Sequence, residues 1–420
     1  MILDVTTASH RSLLCIPSIV AIFHENQQLK HEFMFIRKLN LSELLNKKSF
    51  FLFGPRATGK TTLIERSLPD AQVIDLLHSK TYATLVRNPS ALAEIIVDPK
   101  KVVVIDEVQK LPELLDEVQR LIRKPGVTFL LTGSSARKLK HGAANLLGGR
   151  AREARLFPLV SAEIGEITLE KIINHGGIPD IYKSDEPDED LAAYVDTYLR
   201  EEIKAEAVTR QVAAFVEFLD ACAISNGQEI NYESMASDLQ IAPSTLKNYF
   251  QILEDTLIGF RLKGFTETKK RKAAVRAKHY LFDLGVTRHL ARQGLVTVGS
   301  KAFGDAFEHF IILETRAYLS YTRQRVEQRY WRSVSQFEVD LLIGRSRAIE
   351  IKATEHPSDK HLKGLRALME ERIFQHYYLV CLTSLKRVTE DGIVIMHWRD
   401  FLREMWSGDW GREDRNNDNN

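Results

Sequence analysis

Thirteen residues constrain this chain more than any others: Phe50-Phe51-Leu52-Phe53-Gly54-Pro55-Arg56-Ala57-Thr58-Gly59-Lys60-Thr61-Thr62. Four apolar residues predict a buried strand, a glycine-bracketed loop follows, and Leu63-Ile64 open a helical pattern. The loop fits G-x-x-x-x-G-K-[ST] in the strand–loop–helix setting that a phosphate-binding loop needs. Glycines let the backbone curl so that its N–H groups point at phosphate oxygens, and the helix N-terminus adds partial positive charge. The spacing makes Gly54, Pro55, Arg56, Ala57, Thr58, Gly59, Lys60, Thr61 and Thr62 the nucleotide cradle. Lys60 is expected on the β- and γ-phosphates and the Thr61 hydroxyl on Mg²⁺.

About 45 residues on, Val102-Val103-Val104-Ile105-Asp106-Glu107 is an apolar run ending in two acids. Such a run suits a central parallel strand, and its carboxyl end is where open α/β sheets bind ligands. Asp106 is expected to hold the Mg²⁺ water shell and Glu107 to polarise the attacking water. The next strand, Val127 to Leu131, ends in Thr132-Gly133-Ser134-Ser135; Thr132 or Ser134 senses the γ-phosphate or serves as a plain strand-to-turn residue. Arg137, Arg150 and Arg152 follow, and Arg150 or Arg152 is a candidate to reach a neighbour's nucleotide in trans, which implies a homo-oligomer.

At 420 residues the chain needs several cores. Lys+Arg 58 against Asp+Glu 56 gives a formal +2, so a polyanion surface has to come from local clustering. Three scattered cysteines suggest a reducing, cytoplasmic setting, and the longest apolar run, Leu13 to Phe23, is too short to span a bilayer. The ordered pattern begins at Met34, which makes residues 1–33 an upstream extension of doubtful status. The ATPase domain is expected over 34–165 and a helical lid or connector over 166–225. A winged helix-turn-helix is expected over 226–290, a further α/β domain over 291–405 and a disordered tail over 406–420.

In the winged segment, Tyr232 to Leu239 and Thr245 to Leu253 read as two helices, the second capped by Ser244, followed by a two-stranded wing with the basic tip Lys269-Lys270-Arg271-Lys272. Arg276 and Lys278 stand on the return strand. The residues leave two uses open, DNA contact through helix and tip, or packing. Near the C-terminus, Glu338-Val339-Asp340-Leu341-Leu342-Ile343 and Ala348-Ile349-Glu350-Ile351-Lys352 read as a hairpin in which Glu350 and Lys352 share a face. Asp340 and Glu350, with Glu308 from a preceding helix as a further ligand, are candidates to hold Mg²⁺ for phosphodiester hydrolysis. Lys352 would orient the water or stabilise the developing charge.

The ordered set of motifs resembles the prokaryotic P-loop ATPases that join an AAA-type domain to a DUF4143-type C-terminal region. It is carried by the phosphate loop, Asp106-Glu107-Val108-Gln109, Thr132-Gly133-Ser134-Ser135-Ala136-Arg137-Lys138-Leu139 and Gly176-Gly177-Ile178-Pro179. Tyr198-Leu199-Arg200-Glu201-Glu202-Ile203, Tyr280-Leu281-Phe282-Asp283-Leu284-Gly285 and the Asp340…Glu350-Ile351-Lys352 pair complete it. The resemblance implies an α/β protein: an ASCE-type P-loop core with a parallel sheet, a winged helix and a C-terminal domain similar to the PD-(D/E)xK restriction-endonuclease fold. ATP and Mg²⁺ are the implied cofactors. Val339 stands where the nuclease pattern has proline. Two functions follow as expectations: an ATP-driven enzyme acting on DNA, with nuclease chemistry at its C-terminal domain, or a regulatory ATPase whose later domains only bind DNA or protein.

Overall fold

A computed structural model describes residues 35–124, 126–134, 137, 146–199, 212–408 and 410. Residues 1–34 and 411–420 lie outside it, as do 135–136, 138–139 and 200–203 of the motifs quoted above.

The first sheet is parallel and has five strands: β1 (Ser49–Phe53), β2 (Gln72–Asp75), β3 (Val102–Asp106), β4 (Thr128–Gly133) and β5 (Ala151–Arg155), in the order β2-β3-β4-β1-β5. Alternation along the strands splits the apolar residues between two cores. Phe51, Phe53, Val103, Ile105, Phe129 and Leu131 lie on one face. Phe50, Leu52, Val104, Leu130 and Ala154 lie on the other. Burial on both faces explains why β1, β3 and β4 read as continuous apolar runs. Because β4 stands between β1 and β3, its carboxyl end delivers Thr132 between the phosphate loop and the acids. Helix α1 (Lys60–Ser67) leaves the loop.

The segment expected as a lid and the helix-turn-helix share one apolar core. Ile178, Ile181, Leu191, Tyr194 and Val195 pack with Phe215, Phe218, Tyr249, Phe250 and Leu281. The two helices of the turn are α2 (Tyr232–Asp238) and α3 (Pro243–Asp255). Asn231 caps α2, accepting from Ser234 N at 3.3 Å. Ser244 is not the cap of α3: that helix starts at Pro243, whose fixed φ suits a first helical position.

The wing is not free-standing. Its strands β6 (Gly259–Gly264) and β7 (Lys278–Leu281) pair antiparallel, but the outer edge of β6 is taken by β8 (Gln328–Arg332), Lys263 lying opposite Arg329. The wing thereby ends an eight-stranded mixed sheet with β9 (Glu338–Ile343), β10 (Arg347–Ile351), β11 (His376–Cys381), β12 (Arg387–Val388) and β13 (Val394–His397). Helix α4 (Lys301–Tyr321) and helix α5 (Trp398–Trp406) belong to this domain, with Phe310 edge-on to Trp398. The polar tail does not begin at 406: Trp406 ends α5, and Trp410 is buried against Phe401 and Tyr378 with the Arg347 guanidinium 4.7 Å from its ring centre. Burying so large an aromatic outweighs the hydrophilic composition around it. Among the described residues, no helix is long and apolar enough to cross a membrane.

Candidate active site

The phosphate loop leaves the carboxyl end of β1 and closes on itself. A Cβ at Gly54 would lie 2.5 Å from the Leu156 carbonyl oxygen, so only glycine lets the chain turn there. Gly59 has φ +86°, the left-handed conformation glycine adopts without steric cost, immediately before α1. Thr58 is wholly buried and its hydroxyl donates to the Pro55 carbonyl at 2.8 Å. Lys60 Nζ lies in the mouth of the cradle, donating to the carbonyls of Gly54 (2.7 Å) and Pro55 (3.0 Å). The hydroxyl-bearing Thr61 and Thr62 are exposed on the first turn of α1.

The loop is also gripped from outside. Arg37 donates to the Thr58 carbonyl at 2.6 Å and to the Phe157 carbonyl at 2.5 Å, and its guanidinium pairs with buried Glu163 at 2.9 Å. Tyr194 donates to the Arg56 carbonyl at 3.2 Å. These supports lie 21 to 138 residues from their partners in the chain, so no local pattern announces them.

Asp106 and Glu107 stand where β3 ends. Thr132 Oγ1 donates to the Asp106 carboxylate and accepts from Glu107 N at 3.4 Å. Glu107 has φ +57°, a strained setting for a non-glycine residue, which turns its side chain out of the strand. Gln109 donates its amide to the Glu107 carboxylate and lies 3.3 Å from Ser134 Oγ. Burial raises the Glu107 pKa, with Asp106 adding to the rise, while Lys60, the Gln109 hydrogen bond and Arg56 oppose it. A partly desolvated carboxylate held in one orientation is what water activation requires. Gln109 sits in a motif quoted above, yet sequence reading gave it no role; its spacing two beyond Glu107 was the available signal.

The cradle fits a nucleotide triphosphate with Mg²⁺: a glycine-only turn, a lysine in its mouth, and two carboxylates with a threonine hydroxyl facing it. Arg150 is elsewhere. It precedes Ala151, the partner of Ser49 at the amino end of β1, and so lies at the sheet edge opposite its own phosphate loop.

The second constellation lies on the β9–β10 hairpin, with Asp340 and Glu350 in the strands and Lys352 just past the end of β10. The β9–β10 register pairs Leu341 with Ile349, which sets Asp340 beside Glu350. Both carboxylates are buried, and Lys352 Nζ bridges them at 3.1 Å from Asp340 and 2.8 Å from Glu350. Asp340 Oδ2 also accepts from Ile351 N at 2.8 Å. Burial and the neighbouring Asp340 hold the Glu350 pKa well above the carboxylate range.

Glu308 does not stand open as a third ligand. It accepts from the Tyr280 hydroxyl at 2.6 Å and pairs with Lys278 at 3.1 Å, and Lys278 pairs in turn with Glu338 at 2.7 Å. Lys278 is therefore buried inside an acidic network and takes no part in a basic wing surface. Among the described residues, no group of three or more His, Cys, Asp or Glu side chains is arranged to hold a metal ion. One observation does suit a cation: Glu350 Oε2 is buried with no hydrogen-bond partner. Mg²⁺ commonly takes one or two protein carboxylates and keeps several waters, so Asp340 and Glu350 fit it as a pair.

At the wing tip, the Glu371 carboxylate accepts from the backbone N–H groups of Lys269, Lys270 and Arg271 at 2.7 to 3.1 Å. Arg271 pairs with Glu370, which leaves Lys269, Lys270 and Lys272 as the exposed basic side chains of the tip.

Comparison with known families divides the chain in three. Residues 46–165 match an AAA domain, 166–296 a domain of unknown function (DUF8612), and 303–401 a domain of unknown function (DUF4143). The chain is 27% identical over 325 residues to an uncharacterized protein of Mycobacterium tuberculosis, covering 73% of this chain and 70% of that one. It is 23% identical over 237 residues to an uncharacterized protein of Haemophilus influenzae, covering 49% of this chain and 58% of that one. The Aeropyrum pernix ORC1 protein, solved in complex with DNA, aligns with 65% of this chain and 93% of its own at 12% identity, with a TM-score of 0.26, too low to carry an argument.

Proposed function

We propose, for a chain that joins an AAA-family P-loop ATPase domain to a DUF4143 domain, an ATP hydrolase that acts on DNA and carries a Mg²⁺-dependent nuclease centre. The observation that carries the ATPase reading is the meeting at three neighbouring strand ends of Lys60, Asp106, Glu107 and Thr132. Lys60 and the loop N–H groups bind and orient the β- and γ-phosphates, and the α1 N-terminus favours their charge. Glu107, fixed by Gln109, orients the attacking water and accepts its proton; Thr132 keeps Asp106 aimed at the cradle. Thr61 and Asp106 would hold Mg²⁺, which would supply charge neutralisation at the phosphates. A homo-oligomer is part of the proposal, because Arg150 can serve only a nucleotide held by another copy.

The DNA reading rests on the exposed Lys269, Lys270 and Lys272 and on the α2–α3 helix-turn-helix. The nuclease reading rests on Asp340, Glu350 and Lys352 and on the orphaned Glu350 oxygen. Lys352 would surrender its bridge to a metal and turn to the scissile phosphate. A second reading, a regulatory ATPase whose later domains only bind, is favoured by the lysine that neutralises both carboxylates. Plasmid and linear DNA incubated with Mg²⁺, with and without ATP, separate the two. Cleavage lost in Asp340→Ala and altered in Lys60→Ala supports the nuclease; intact ATP turnover with no cleavage of duplex or single strands supports regulation.

A further inference from the structure

Between the edge strand β5, the wing strand β6 and helix α4 lies a cavity of about 310 Å³ that none of the motifs predicts. Its walls carry Arg155, Arg261, Lys263 and Arg316, with Phe157 and Gln328. Two carboxylates are near, and both are taken. Glu254 is held by Arg261 through a pair of bonds, and Glu327, on the wall, is held by Arg329.

Arg316 is the anomaly. It is partly buried on α4, its guanidinium lies 3.9 Å from the Phe260 ring centre, and it makes no hydrogen bond or ion pair among the described residues. Burial, with Arg155 adding to it and Glu254 opposing, lowers its pKa to about 9, so it is charged at neutral pH, while Glu254, which answers that charge only through space, is hydrogen-bonded to Arg261. Arg155 and Lys263 likewise have no carboxylate partner among the described residues. Packing on an aromatic face fixes the guanidinium plane and leaves its N–H fork for a planar or tetrahedral oxyanion. A desolvated cation without a direct ion pair is costly unless a ligand completes it.

We infer that this cavity is a phosphate-binding site, with Arg316 as its anchoring donor and Arg155 and Lys263 as its flanking charges. The phosphate comes from a nucleic-acid backbone or from a free phosphoanion; either satisfies the chemistry. The basic character continues along the edge of β5, where burial first, and then the nearby Arg152 and Arg325, lower the Arg323 pKa against Glu153. The site is also wired to the nucleotide. Phe157 lines the cavity, and its carbonyl is held by the same Arg37 that holds the phosphate loop at Thr58.

The test compares full-length wild type with Arg316→Gln and the double variant Arg155→Ala/Lys263→Ala. Binding of a labelled single-stranded oligonucleotide and its duplex is measured by polarisation, and binding of inorganic pyrophosphate by calorimetry. Arg316→Gln is expected to weaken at least one of these roughly tenfold or more, as loss of a charge-assisted pair does. It should remain folded and keep its ATP binding. Loss confined to the oligonucleotides identifies the ligand as a nucleic-acid backbone. Loss confined to pyrophosphate identifies a free phosphoanion and leaves DNA contact to the wing tip. Unchanged binding of all three probes in both variants, with the fold intact, overturns the site.

Discussion

At the phosphate loop, Lys60 opens helix α1 and Asp106 and Glu107 stand where β3 ends, held by backbone carbonyls and by the neutral donors Thr132 and Gln109. At the hairpin, Asp340 and Glu350 lie within the strands, Lys352 follows the last residue of β10, and the three hold one another. The same three side-chain types thus meet in opposite regimes. At a strand end the scaffold bears the cost of alignment, so the charges face outward and await a ligand. Inside a sheet the charges compensate each other, and any ligand has to compete with a lysine already in place. Cross-strand carboxylates in one register repel, so Lys352 is as much a requirement of the fold as a candidate for chemistry.

The sharpest way to break this contrast is to remove each lysine. Lys60→Ala is expected to lower ATP turnover by about 10²- to 10³-fold, the usual cost of losing one charged donor to a transition state, with little change in melting. Lys352→Ala is expected to leave ATP turnover intact and to destabilise the fold by about 3 kcal/mol, because it strands two buried carboxylates. Equal stability losses in chemical denaturation would erase the distinction. Next in size, Gln109→Ala should slow hydrolysis about tenfold while nucleotide affinity holds, since it orients Glu107 without facing the phosphates. A change in nucleotide affinity instead would make Gln109 a binding residue.

A last effect, away from both lysines, is one of pH. Buried Asp283 caps the helix Leu284–Leu290 and accepts from Gly177 N at 2.7 Å, tying the Gly176-Gly177-Ile178-Pro179 turn to the Phe282-Asp283-Leu284 turn. Burial raises its pKa from 3.8 to about 6, against the backbone N–H groups that lower it. The folded state therefore holds this proton more tightly than the unfolded chain. Its contribution is full below about pH 4 and is lost as pH rises through about 6, worth up to roughly 3 kcal/mol. Asp283→Asn should flatten that part of the stability profile; an unchanged slope would show that another group titrates there.

The phosphate loop was legible because its residues are contiguous and each has a backbone reason to be what it is. The parallel sheet was legible because β1, β3 and β4 are buried on both faces. What stayed hidden depends on distant partners. Arg37 meets Phe157 across 120 residues, and the edge of the wing is covered by a strand 66 residues on from Lys263. Lys278 read as a basic wing residue because Glu308 and Glu338, which bury it, are far along the chain. Trp410 was overlooked because one aromatic in a polar stretch does not alter its average.

Glu107 tests the account most directly. Glu107→Gln keeps the shape and the Gln109 neighbour but removes the proton acceptor, so binding of a fluorescent ATP analogue should persist while steady-state hydrolysis falls by about 10²-fold or more. Hydrolysis at the wild-type rate in Glu107→Gln, with the nucleotide still bound, would contradict the assignment of the strand-end carboxylate as the group that activates water.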